Sequence, residues 1–134
     1  MNQERKLQLS LALIRFSTGL FFLVWSVEKL IHPETTQKIF AKFYMMEISP
    51  AVSYGIGIIQ TLLVLAFVAG LFKLWTYGAI LGMHAVSTLS TYQQLLNPYE
   101  AVNHLFWAAV PTLAALIGLF ILRDSDRFLT ISRK

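Results

Sequence analysis

Few side chains in this 134-residue chain have the chemistry to bind or react, and they fall into small groups. Glu28, Lys29 and His32 form one, Gln60 stands alone, His84 and Thr88 make a third, and Glu100, Asn103 and His104 a fourth. On a helix Glu28 and His32 share a face, four residues apart, whereas Lys29 falls on the neighbouring stripe with Arg15, Gly19, Phe22 and Ser26. Ionisable groups inside a bilayer cost several kcal/mol unless compensated. Glu28 and Lys29 therefore either reach the headgroups or face inward and ring a cavity open to the outside.

Gln60 shares a stripe with Ser53, Gly57, Val64 and Phe67, and His84 shares one with Tyr77, Thr88 and Thr91. Lipid cannot satisfy an amide or an imidazole, so both stripes should point into a helical bundle, where Gln60 and His84 come within reach of a direct or water-bridged hydrogen bond. One reading is interhelical glue worth about 0.6 to 2 kcal/mol. The other is a ligand site lined by Gln60, His84, Thr88, Glu28 and Lys29, with His84 donating to a carbonyl oxygen. Aromatic walls suit a quinone headgroup or a lipid tail. Haem is disfavoured, because His84 and His104 stand roughly 10 Å apart along the membrane normal at helical rise. His32 and His104, with Glu28 or Glu100, share one level and form a weak candidate metal set without a diagnostic spacing.

The chain has no cysteine, which removes disulfides, thiolate-ligated metal and iron–sulfur clusters. It contains no Ser/His/acid arrangement, phosphate loop or His-Glu-x-x-His pattern, so an autonomous enzyme is not expected.

The elements that must position these groups follow from composition. With 56% hydrophobic and 13% charged residues and a mean hydropathy of +0.60, the chain has too much apolar surface for an interior of this size, and a lipid bilayer must supply the second solvent. A single all-α transmembrane domain over residues 1–134 is expected. A crossing helix needs about 20 mainly apolar residues, and four segments qualify: 9–31, 51–72, 74–96 and 101–122. Between the first two, residues 33–47 alternate apolar and basic residues at helical spacing and read as a short amphipathic interfacial helix. Arg15 and bulky residues at the would-be cleavage point argue against a removable leader.

Seven basic residues (Arg5, Lys6, Lys73, Arg123, Arg127, Arg133 and Lys134) fall on one side and two (Lys38 and Lys42) on the other. That imbalance puts both termini, and the tail 123–134, in the cytoplasm. The net charge of +4 is then a topology signal, with no basic face for nucleic acid. Gly78 and Gly82 form a small-xxx-small pair that admits a neighbouring backbone, and Pro111 should kink the last span. Arg15 either snorkels to the inner headgroups or makes a buried salt bridge to Asp124 or Asp126.

Arg15-x-x-x-Gly19-x-x-Phe22-Leu23, followed by Lys29-Leu30, resembles the opening signature of the DoxX family and its DoxX-like and MauE-like relatives, small four-helix membrane proteins. The Gly70 turn and Leu122-Arg123-Asp124-Ser125-Asp126 continue the likeness over most of the chain. The resemblance implies a four-helix bundle in the bacterial cytoplasmic membrane and, as in some members, association with redox systems. Ser26 stands where a glycine is frequent and Gln60 where an acid is common, and a neutral amide carries no proton. The leading expectation is an accessory subunit of a larger membrane complex, respiratory or redox, or a homo-oligomer, with a quinone or lipid site between helices. The alternatives are an oligomeric small-solute or proton pathway and a quinone-linked oxidoreductase component.

Overall fold

The computed structural model describes residues 1–131, in which every regular element is helical. Arg133 and Lys134, both counted in the charge imbalance, lie outside the described residues.

Helix α1 (Gln3–Ile31) starts where the Asn2 side chain accepts from the Arg5 N–H at 2.9 Å, with Glu4 in its first turn and Lys29 in its last. Each charge complements the nearer end of the helix dipole. Pro33 fixes the first turn of α2 (Pro33–Phe43), whose Ile39, Phe40 and Phe43 share one side. Ser49 caps α3 (Pro50–Val68), accepting from the Val52 N–H at 3.3 Å.

Helices α1 and α3 pack antiparallel and close together. Ser53 Oγ donates to the Lys29 carbonyl at 2.9 Å, and Thr61 Oγ1 donates to Ser26 Oγ at 3.0 Å. A Cβ on Gly57 would stand 2.8 Å from Leu30 Cδ2, and one on Gly19 would run into Val68 Cγ2. Small residues at these crossings replace the hydrophobic drive that a membrane does not supply between helices.

Gly70, at φ +73°, makes the turn into α4 (Lys73–Ser90), and a Cβ there would strike Thr130 as well as strain the backbone. Helix α4 buries Thr76, Tyr77, Ile80, His84 and Thr88, and packs on α3 and on α6 (Ala109–Ile121). The core joins Leu11 of α1, Val64 and Phe67 of α3, Tyr77 and Ile80 of α4, and Leu116 and Leu119 of α6. Phe67 and Tyr77 meet edge to face at 5.0 Å.

Two expected spans differ in detail. The third ends at Ser90, and a short α5 (Tyr92–Leu96) follows after Thr91 breaks the regular backbone. The fourth begins as a 3-10 segment, Asn103–Ala108, after Ala101 at φ +48°, and becomes α-helical only from Ala109. Pro111 therefore sits in the first turn of α6, where its missing N–H leaves no helical bond unmade, rather than kinking a helix from its middle. Three segments are long and apolar enough to cross a membrane: Gln3–Ile31, Pro50–Val68 and Asn103–Ile121. Helix α4 has 18 residues, but Lys73, Thr76, His84, Ser87, Thr88 and Ser90 dilute its apolar content.

Candidate functional site

Two polar assemblies occupy opposite ends of the bundle. At the end that holds the start of α1 and the segment after α6, Arg15 is fully buried and paired with fully buried Asp126. Its Nε donates to the Val68 carbonyl at 3.0 Å, and one terminal nitrogen donates to the carbonyls of Phe128, at 2.7 Å, and Leu129, at 3.2 Å. Tyr77 donates to the second Asp126 oxygen at 2.6 Å, and Lys73 donates to the Asp126 carbonyl. The planar, always-charged guanidinium suits this multiple role. Of the two arrangements open to Arg15, the chain adopts the buried ion pair, and Asp126 is the acid. Gln8, which the sequence did not single out, accepts from the N–H groups of Arg127 at 2.8 Å and Phe128 at 3.0 Å, and Ile131 N–H donates to the Ala69 carbonyl at 2.8 Å. This assembly straps the segment after α6 beneath α1, α3 and α4.

Toward the other end lies a cavity of about 920 Å³ bounded by α1, α2, Gln60 of α3, α4, the 3-10 segment Asn103–Ala108 and the start of α6. Its wall includes Gln60, His84, Thr88, Glu28 and Lys29, so all five candidate ligand residues face one space. Phe21, Phe22, Trp25, Phe40, Phe43 and Tyr44 supply its aromatic surface. Binding pockets typically measure about 300 to 1,000 Å³ and are mainly apolar with a few placed polar groups.

The polar groups form two tiers. The deeper holds His84, whose Nε2 lies 2.9 Å from the Ala109 carbonyl oxygen. A carbonyl only accepts, so Nε2 carries a proton. The rings of Phe21 and Phe22 each stand edge-on to the imidazole at 6.3 Å. Thr88 Oγ1 donates to the His84 carbonyl at 2.7 Å. The amide of Gln60 approaches Met83 Sδ at 3.8 Å, and no direct Gln60–His84 hydrogen bond is made. Gln60 meets the neighbouring position on α4, and the carbonyl at the start of α6 captures the ring. The role of Met83 and of the Ala109 carbonyl had no signal in residue type or spacing.

The outer tier is Glu28 and Lys29. Lys29 Nζ donates to the Trp25 carbonyl at 3.3 Å, and among the described residues neither Glu28 nor Lys29 has a salt-bridge partner. His32 turns away to Glu34 at 3.1 Å, both side chains being exposed. Glu34, held below the ordinary carboxylate range by its own backbone N–H and by His32, stays ionised at neutral pH. His104 is exposed on the 3-10 segment, and no three His, Cys, Asp or Glu side chains among the described residues gather to hold a metal ion. The proposed set of His32, His104 and a carboxylate is therefore not assembled, because α2 carries His32 toward Glu34.

The two glycines of α4 differ. A Cβ on Gly78 would lie 3.4 Å from the Phe120 ring of α6, an ordinary side-chain contact, whereas Gly82 has nothing within 4 Å and lines the cavity.

Apolar helices with outward-facing Leu13, Leu20, Val24, Ile59, Leu62 and Leu89 define a small all-helical integral membrane protein. Residues 7–103 match the family model described as methylamine utilisation protein MauE, and the chain belongs to that membrane protein family. No curated protein and no solved structure matches the chain.

Proposed function

We propose that this MauE-family protein is an accessory subunit of a larger membrane complex and that the cavity holds a long-tailed amphiphile, a quinone or a lipid, between its helices. The observation that carries this reading is the convergence of Gln60, His84, Thr88, Glu28 and Lys29 on one aromatic-walled space of about 920 Å³. The family description names a metabolic process and no reaction, in keeping with a supporting role. In this reading α4 is a fourth span, sheltering its polar stripe inside the bundle, and α2 lies along the interface with Lys38 and Lys42 toward the headgroups. Both termini face the cytoplasm of a bacterial cell.

A transmembrane pathway through a single bundle is less well supported than this reading. Below His84 the space is filled by Val64, Phe67, Ile80 and Leu119, all at 0–1% exposure, so the polar lining stops about halfway along the bundle. Purification in mild detergent followed by native mass spectrometry tests the proposal. Copurifying subunits and an extracted amphiphile are expected, and a lone chain with an empty cavity would overturn it.

A further inference from the structure

We propose that the cavity receives a zwitterionic lipid head, an amine and a phosphate on one molecule, at Glu28 and Lys29, with the acyl chain running inward past Phe21 and Phe22. This rests on the reading of the cavity as an amphiphile site and adds which head it reads. Two opposite charges stand side by side in its mainly apolar wall. Successive residues on a helix do not face each other, and neither Glu28 nor Lys29 has a salt-bridge partner among the described residues. Lys29 spends one N–H on the Trp25 carbonyl, which leaves two.

An anion alone would meet Lys29 but stand beside an unneutralised carboxylate, and a cation alone would reverse the conflict. Either leaves one charge uncompensated in an apolar space, which is costly. A head of both signs satisfies both residues and leaves the site neutral. Thr36 adds a third contact. It lies in the same wall at 3% exposure and makes no hydrogen bond among the described residues, where no sealed side-chain oxygen lacks a partner. Its hydroxyl is therefore open to a ligand and can donate to a phosphate oxygen. Gln60 and Ser87 also line the wall, but their amide and hydroxyl suit the ester carbonyl that acyl lipids share and do not read the head. The charges stand at the right depth as well. Lys29 is in the last turn of α1, and Phe22, edge-on to His84, lies seven residues deeper, about 10 Å at helical rise. A chain entering from the bilayer follows that wall while its head stays near the surface.

The test is binding to the intact protein in a neutral maltoside micelle, read as quenching of Trp25, which is in the cavity wall, by probes sharing one brominated acyl chain. Trp25→Phe supplies the blank. The probes are lysophosphatidylethanolamine and lysophosphatidylcholine as zwitterions, lysophosphatidylglycerol as anion, an acylcholine as cation and a monoacylglycerol as neutral ester. At least one zwitterion is expected to bind about tenfold tighter than the other three, the loss of one charged contact. Glu28→Gln should erase the margin over the anion, and Lys29→Gln the margin over the cation, each with an unchanged melting profile. Should a variant fail to fold, the probe series on the unaltered chain decides alone. Tightest binding of the anion or the cation, equal binding of all heads, or an order unmoved by both substitutions would overturn the zwitterion but leave the amphiphile site standing. Tightest binding of the monoacylglycerol would also overturn it, returning the cavity to an uncharged head. Free phosphoethanolamine competing as well as the lipid would overturn the part given to the chain. Failure of every probe to quench would instead overturn the reading of the cavity itself.

Discussion

Arg15 and Asp126 bury opposite charges that would each be costly alone, and their partners on α3, α4 and the following segment leave no room for water to compensate. Arg15→Met should strand the Asp126 carboxylate and lower thermal stability in detergent by about 3 to 5 kcal/mol. Arg15→Met combined with Asp126→Asn should recover part of that loss, because no bare charge remains. A melting profile unchanged by the single substitution would return Arg15 to the role of a headgroup anchor. The ion pair was half legible from sequence: the depth of Arg15 and the acids after the last span allowed it, but the choice of Asp126 over Asp124 depends on the turn Arg123–Ser125, which aims Asp126 back at Tyr77 and Arg15.

At the scale of the element, the α1–α3 seam depends on small side chains. Gly57→Leu should push Leu30 and Lys29 away and destabilise the protein by about 1 to 3 kcal/mol through overpacking, measurable as a lower melting temperature. Gly82 is the counter-case, since it faces open space. Gly82→Ala should stabilise α4 by up to about 1 kcal/mol through helix propensity, whereas Gly82→Leu should keep the fold and reduce amphiphile copurification by filling the cavity. Helical periodicity located both stripes, since the buried run Ser53, Gly57, Val64, Phe67 follows the face read from sequence. The boundaries of the later elements were not legible, because the breaks at Thr91 and in Asn103–Ala108 arise where α5 and the 3-10 segment pack on each other, with Trp107 Nε1 donating to the Leu95 carbonyl at 3.0 Å.

At the scale of the whole molecule, the two polar assemblies divide the bundle into a strapped end and a hollow end. Single cysteines introduced at positions 28 and 29 into the cysteine-free chain should label with a membrane-impermeant thiol reagent more slowly than one at Tyr99, which is 95% exposed in the far connection. Labelling at equal rates would place Glu28 and Lys29 in open water and remove them from the cavity. Tags at the two termini should report the same side of the membrane, since Glu4 and Arg127 pair at 2.5 Å across that end.

The sequence by itself determined the solvent and the class of fold. An excess of apolar residues requires lipid, helical spacing assigns each polar residue to a face, and the rarity of charges marks Arg15, Glu28 and Lys29 as the ones needing partners. Tertiary structure alone decided that Arg15 pairs with Asp126, whereas Glu28 and Lys29 line the cavity with no salt-bridge partner among the described residues. Hydrogen-bond pairing depends on distances of a few tenths of an ångström between elements far apart in the chain, so nothing in residue type told that His84 would spend its N–H on the Ala109 carbonyl. For the same reason only the packed bundle shows that five separate polar positions face one space, while Arg15 belongs to another.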